Sequence, residues 1–192
     1  MNDLLIRQIE REIKLSEEET HLIAEFFVPQ TVQKRQHLLE LGQICHFEWF
    51  VAQGCLRTYC FDDKGNEINL QFAIEGWWAS DVCSFLERKG AQIVIESLEP
   101  GLVLALDLRR KDELLRRIPA LERFFRMLVQ RNQAAWQRRF TWQVGASAKD
   151  RYLHFLEQYP GVELRVSQHH IASYLGITPE FLSKMKRNLL QT

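Results

Sequence analysis

The 192-residue sequence contains no apolar run near the roughly 20 residues that a membrane-crossing helix needs. It opens MNDLLIRQIE, with Asp3 and Glu10 where a secretory leader would be basic and then apolar. Both features predict a cytoplasmic protein without membrane contact. Its four cysteines, Cys45, Cys55, Cys60 and Cys83, show no CxxC spacing and sit in apolar sequence, so buried free thiols are expected and a cysteine metal site is not. Cys55 and Cys60 are five apart and would point to opposite faces of one strand, which makes them poor co-ligands. There is no phosphate-binding glycine loop and no Ser/His/Asp arrangement. Histidine is missing from residues 47 to 153, which leaves His46 and Glu48 as an incomplete ligand set for a metal-dependent barrel enzyme. No catalytic residue and no cofactor are expected.

The net charge is zero, yet it is unevenly spread. Residues 1 to 106 hold 9 Lys and Arg against 17 Asp and Glu, a balance of −8; residues 107 to 192 hold 16 against 8, a balance of +8. A basic C-terminal part suits phosphate neutralisation. The 46% hydrophobic content supports a packed core.

Periodicity predicts a helix over about Asp3 to Ile13 and a second opened by the capping box Ser16-Glu17-Glu18-Glu19. From about Val28 to Asp107 short β-rich runs follow, among them EWFVA, IVIESL and INLQFAI, the last alternating Ile68, Leu70, Phe72 and Ile74 with smaller or polar neighbours. Glycines punctuate these runs, and DDKGNE, residues 62 to 67, is the clearest hairpin. Such spacing predicts a compact barrel or jelly roll, and the whole chain is therefore of α+β class.

Residues 111 to 144 read as one long helix whose seam, Leu114, Ile118, Leu121, Phe125, Leu128, Asn132, Ala135, Arg139 and Trp142, recurs at heptad spacing. Dimerisation through Leu114, Leu121, Phe125, Leu128, Asn132 and Ala135 is expected, with Asn132 fixing register; the alternative, which Arg139 at a seam position keeps open, is one amphipathic helix buried on its own domain. A second stripe, Phe124, Val129, Trp136 and Phe140, is assigned to packing on the barrel.

SQHHIASYLGITPEFLSKMKRNL, residues 167 to 189, carries two short helices. Ser167 can cap the first and Gly176 stops it; Thr178 caps the second, with Pro179 in the first helical position and Glu180 at the positive end. On the second, Leu182, Met185 and Leu189 gather on one side and Glu180, Ser183, Lys184 and Arg187 on the other. This is the pattern of a helix-turn-helix whose second helix enters the DNA major groove. Base contacts fall to Glu180, Ser183 and Lys184, and phosphate contacts to Ser167, Gln168, His169, Lys186 and Arg187.

Two stretches carry a family resemblance over nearly the whole chain: EWFVAQGCLRTYCFDDKGNEINLQFAIEGWW and RYLHFLEQYPGVELRVSQHHIASYLGITPEFLSKMKRNL. They resemble the Crp/Fnr family of bacterial transcription regulators, and ITPEFLSKMK is similar to its Bacteroidetes-type branch. The resemblance implies an N-terminal cyclic-nucleotide-binding-like double-stranded β-barrel with flanking helices over residues 1–110. It further implies a dimerising helix over 111–144 and a winged-helix-type DNA-binding domain over 145–192, its wing truncated at Thr192. It also implies a homodimer on a two-fold symmetric duplex site, RNA polymerase as a further partner, and a small-molecule effector of unknown identity.

Departures from the family pattern bear on mechanism. Members that bind cyclic AMP carry Gly-Glu followed about ten residues on by Arg-Ser/Thr-Ala; here Ser80-Asp81 and Gly90-Ala91-Gln92 stand at those places, so a cyclic phosphate lacks its bidentate cation. The candidate pocket residues are Trp77, Trp78, Asp81, Arg88, Lys89 and Gln92, and independence from cyclic AMP is expected. No cysteine cluster precedes the barrel, unlike in the iron-sulfur branch. Pro179 stands where many relatives place arginine, removing one usual base contact. The rival readings are a cupin-like metalloenzyme and a regulator that works through protein contacts alone.

Overall fold

The computed structural model describes residues 3–190. Helix α1 (Asp3–Glu10) is three residues shorter than expected, and α2 (Glu17–Phe26) begins at the capping box. There Ser16 Oγ accepts from Glu19 N and Ser16 N donates to the Glu19 carboxylate. Eight strands follow: β1 (Val28–Val32), β2 (His37–Leu39), β3 (Phe47–Gln53), β4 (Leu56–Phe61), β5 (Glu67–Ala73), β6 (Trp78–Ala79), β7 (Val94–Ser97) and β8 (Gly101–Asp107). Helix α3 (Val82–Glu87) interrupts them between β6 and β7. They form two four-stranded sheets, in the orders β1-β8-β3-β6 and β2-β7-β4-β5, the jelly-roll arrangement that the strand spacing anticipates. Strand β8 is central to the first sheet, pairing antiparallel with β1 on one side and β3 on the other. A bulge at Val51/Gln53 marks where β3 departs from it. There a Cβ on Gly101 would strike the Gln53 carbonyl, so the close approach requires glycine.

Two apolar cores flank the first sheet. Between the sheets lie Val32, Leu39, Trp49, Val51, Leu56, Ile95, Val103 and Ala105. On the outer face, Phe50, Leu104 and Leu106 meet Leu5 and Ile9 of α1, Ile23 of α2, and Leu114, Leu121, Phe124 and Phe125. The period-2 alternation along β8 sends Val103 and Ala105 inward and Leu104 and Leu106 outward, and both faces are apolar because both are covered. A buried ion pair, Arg57 Nε to Glu96 Oε2 at 2.6 Å, links β4 to β7.

The expected single helix over 111–144 is two: α4 (Leu108–Arg117) and α5 (Leu121–Gly145). Ile118 caps α4, its N–H donating to Leu114 O, and Pro119 cannot donate to a continuing helix. The expected dimer seam also needs correction. Leu114 and Leu121 are 0% exposed and Phe125 is 6% exposed, all within the outer core, and Leu128 packs against its edge. The second stripe divides along the helix: Phe124 packs in the outer core as expected, at 2% exposure, whereas Val129 is 60%, Trp136 40% and Phe140 71% exposed, and Val144 one turn further on is 74% exposed. Periodicity finds both stripes but carries no information on how far along α5 they are covered.

The chain groups into two compact units: the part up to Thr58 with Phe72–Arg131, and Tyr59–Gln71 with the part from Asn132 on. The hairpin DDKGNE thus belongs with the C-terminal helices. It closes as expected, with Asp62 N donating to Asn66 O and Asp62 Oδ1 accepting from Lys64 and Asn66 amides around Gly65 at φ 82°. The alternation expected in INLQFAI fails at Asn69, which is fully buried while Ile68 and Leu70 are half-buried. After β8 no strand occurs among the described residues; a 3-10 turn at Val162–Leu164 follows α6 (Ala148–Gln158), then α7 (Gln168–Leu175) and α8 (Pro179–Leu190). The expected truncation at Thr192 lies outside the described residues.

Candidate nucleic-acid interface

Helices α7 and α8 form as their capping residues dictate. Ser167 Oγ accepts from His170 N at 3.2 Å to open α7, and Gly176 ends it at φ 67°, with Ile177 N donating to Ala172 O in a reversing C-cap. Thr178 Oγ1 then accepts from Phe181 N at 3.2 Å, and Pro179 begins α8. Three residues separate the helices, which fixes their mutual angle. Leu182 is 0% exposed; Ile171, Ala172, Leu175, Val162 and Val166 are buried as well, and Phe155, Tyr159 and Tyr174 meet in tilted and edge-to-face ring contacts.

This packing leaves Glu180, Ser183, Lys184 and Arg187 exposed along α8, the face assigned to DNA from the sequence. Hydrogen bonds from its own amide and from Thr178 hold the Glu180 carboxyl below the usual range, so it is an anion at neutral pH. Ser167, Gln168 and His169 are exposed at the N-terminus of α7. Lys186 is placed differently: it is half-buried, with Nζ 3.6 Å from Glu163 Oε2 and near the Tyr152 ring. Phe181, which the amphipathic reading passed over, is 52% exposed beside Glu180. It borders a groove of about 440 Å³ lined also by Ala148, Lys149, Lys184, Met185 and Asn188.

The support beneath these helices was invisible in the sequence. Arg151 donates from Nε to Leu175 O and from Nη1 to Ala146 O, closing the C-terminal ends of α7 and α5 together. Trp142 stacks on His154 with ring centroids 4.8 Å apart and planes 4° apart. Asn69 N donates to Ser173 Oγ and Asn69 Nδ2 to His170 O, while Ser173 Oγ donates to Glu67 O. Arg139 donates to Asn69 O and Tyr174 O, its guanidinium 4.0 Å from the Tyr174 ring centroid. Desolvation lowers the Arg139 pKa, the expected result of burying a cation among neutral carbonyls and aromatic rings. Burial of Asn69 is thus explained: its amide grips α7. Only spatial proximity between residues about 100 apart could have revealed this.

Of the six pocket candidates, Asp81 and Gln92 are in direct contact, while Trp77 and Trp78 lie in different cores. Trp78 sits in the outer core among Phe27, Phe50, Phe124 and Phe125, its Nε1 donating to Gln8 Oε1, and Trp77 packs against the inner core. Asp81 caps α3: Oδ1 accepts from Ser84 N and Oδ2 from Gln92 N, so each oxygen already serves a backbone amide. Lys89 is exposed and paired to Glu87. Arg88, at φ 57°, donates to Cys45 O and contacts His46 Nδ1, and it borders an open groove of about 560 Å³ with Phe47, Asp107, Arg109 and Arg116. His46 therefore faces a guanidinium, and Glu48 pairs with Lys111 at 2.6 Å. Among the described residues no three His, Cys, Asp or Glu gather to hold a metal. Two cysteines depart from the expected burial, Cys83 being exposed and Cys60 half-buried; Cys45 is buried, which pushes its thiol pKa up.

No protein-family model matches the sequence, and no curated protein matches it either. Solved structures do match. FixK2 from Bradyrhizobium japonicum superposes with a TM-score of 0.75 at 14% identity, over 86% of this chain and 85% of that one. The c-di-GMP-responsive global regulator CLP from Xanthomonas campestris gives 0.72 at 13% identity over 92% of each chain. A protein assigned to the crp/fnr family of transcriptional regulators, from Eubacterium rectale, gives 0.68 at 19% identity over 92% of this chain and 84% of that one. At these identities the likeness establishes the fold, which is that of the Crp/Fnr regulators. No helix among the described residues is long and apolar enough to cross a membrane.

Proposed function

We propose that this chain is a sequence-specific, DNA-binding transcription regulator of the Crp/Fnr type, acting as a homodimer in the cytoplasm and without cyclic AMP. The observation that carries the reading is α8: capped at Thr178, anchored by fully buried Leu182, and exposing Glu180, Ser183, Lys184 and Arg187 on one face. A helix held so rigidly by one side has its other free to enter a major groove about 12 Å wide. Lys184 can donate to guanine O6 and N7, Glu180 can accept from cytosine N4, and Ser183 suits either. Ser167, Gln168, His169 and Arg187 supply phosphate contacts, which position without specifying. Lys186, drawn to Glu163, contributes to packing in place of the phosphate contact expected of it.

Dimerisation would use the exposed α5 stripe of Val129, Trp136, Phe140 and Val144, since a free apolar stripe of this length marks an association surface. Independence from cyclic AMP is supported by the missing arginine, without which a cyclic phosphate has no bidentate cation, and Asp81 holds two backbone amides in the same segment. A cupin-like enzyme is disfavoured by the pairing of His46 with Arg88 and of Glu48 with Lys111.

The test is selection of a random duplex library by the purified protein at moderate salt, followed by sequencing. Enrichment of a palindrome with half-sites about ten base pairs apart, without added nucleotide, is the expected result. Retention without enrichment, vanishing as salt rises, would reduce the interaction to phosphate attraction and refute the reading. Calorimetry with cyclic AMP should show no micromolar binding.

A further inference from the structure

We infer that Phe181 reads a thymine 5-methyl group, so that each DNA half-site contains a thymine beside the bases met by Glu180 and Lys184. The inference rests on the regulator reading above and deepens it by naming a specificity determinant outside the charged face.

Phe181 is the third residue of α8, in the part of a recognition helix that approaches base edges. It is 52% exposed although the neighbouring Leu182 is wholly buried. The free side of its ring is therefore not needed by the fold. On a helix advancing roughly 100° per residue, Phe181 lies about 60° from Lys184 and about 20° from Asn188, on the edge of the exposed face. The same groove that it borders carries the cations Lys149 and Lys184 along with apolar Met185, so the ring is held apolar within a surface suited to a polyanion.

Few features of a duplex reward an apolar ring in this setting. Phosphates and the hydrogen-bonding base edges would lose hydration against it, whereas the thymine methyl is the apolar group that the major groove presents. Pro179, at the start of α8, brings no charge or hydrogen-bond donor to the groove. The contact by Phe181 thus adds discrimination where the polar face has one donor fewer.

The experiment takes the half-site enriched by library selection and replaces each thymine in turn by deoxyuridine, which removes only the methyl. The intact protein should lose about three- to fivefold in affinity at one thymine per half-site, the scale of one buried methyl group. Phe181→Ala should bind about tenfold more weakly and become indifferent to the methyl at that position, while Phe181→Leu should keep part of the discrimination. Thermal melts of both variants close to that of the parent separate this from misfolding. Equal affinity for thymine and deoxyuridine at every position, or discrimination that persists in Phe181→Ala, would overturn the inference and leave the regulator reading standing. A library with no enriched sequence would overturn both.

Discussion

Phe140→Ala should weaken self-association far more than its effect on folding would suggest. Phe140 is 71% exposed on α5, in line with Val129, Trp136 and Val144. Taking roughly 200 Å² for a phenylalanine side chain, about 140 Å² is free on each copy, or about 280 Å² in a symmetric pair. At about 25 cal/mol/Å² complete burial would be worth roughly 7 kcal/mol, and covering half of that area roughly 3 to 4 kcal/mol. The dimer dissociation constant should therefore rise by about 100- to 1,000-fold, measured by sedimentation equilibrium over a wide concentration range. Leu121→Ala is the contrasting variant: Leu121 lies at 0% exposure in the outer core, so it should lower stability by about 2 to 5 kcal/mol with no direct change in the dimer constant of the folded protein. If Phe140→Ala leaves the association constant unchanged while Leu121→Ala, still folded, abolishes it, the stripe assignment is wrong and the heptad seam is the interface after all.

Further outcomes follow from the same contacts. Lys184→Ala should cost about 1 to 3 kcal/mol on the selected site and much less on unrelated duplexes, measured by competition binding; equal losses on all sequences would make it a phosphate contact. Glu96→Gln removes the carboxylate charge paired with buried Arg57 and should lower urea-unfolding stability by about 3 to 5 kcal/mol, whereas replacing both by apolar residues should recover most of it; a double variant as unstable as the single would refute the pairing argument. Burial and the Glu163 carboxylate raise the Tyr152 pKa to about 12, so folding favours the neutral phenol. Its contribution is complete below about pH 10, the ordinary tyrosine value, and is lost as pH rises from there to about 12. Tyr152→Phe should flatten stability across that window, and an unchanged alkaline slope would count against it. A thiol reagent at neutral pH should label Cys83 first, because it is exposed, and Cys45 slowly, because burial disfavours its thiolate; the reverse order would contradict the packing around Ser84.

The helix-turn-helix was legible in one dimension because its determinants are local. Ser167, Gly176, Thr178 and Pro179 act on backbone groups within a few residues of themselves, and the 3.6-residue period separates Leu182 from Lys184 without reference to anything else. Capping of α2 by Ser16 and Glu19, and the turn around Gly65, were readable for the same reason. Pro119 is equally local, but the heptad spacing runs straight through it, and its missing amide separates α4 from α5.

Tertiary structure alone decided the rest. Two apolar stripes on α5 satisfy the same periodicity, and only tertiary packing decides that Leu121, Phe124 and Phe125 of its first turns are covered while Phe140 and Val144 are exposed. Asp81 has the chemistry of a ligand carboxylate, but folding brings the amides of Ser84 and Gln92 to both of its oxygens. Asn69 looked like the polar side of a strand and is instead buried against His170 and Ser173, about 100 residues away. Sequence fixes what each residue can do through its own backbone and its nearest turns; burial, partners and free faces depend on which distant surfaces meet, because they are set by contacts that no local spacing encodes.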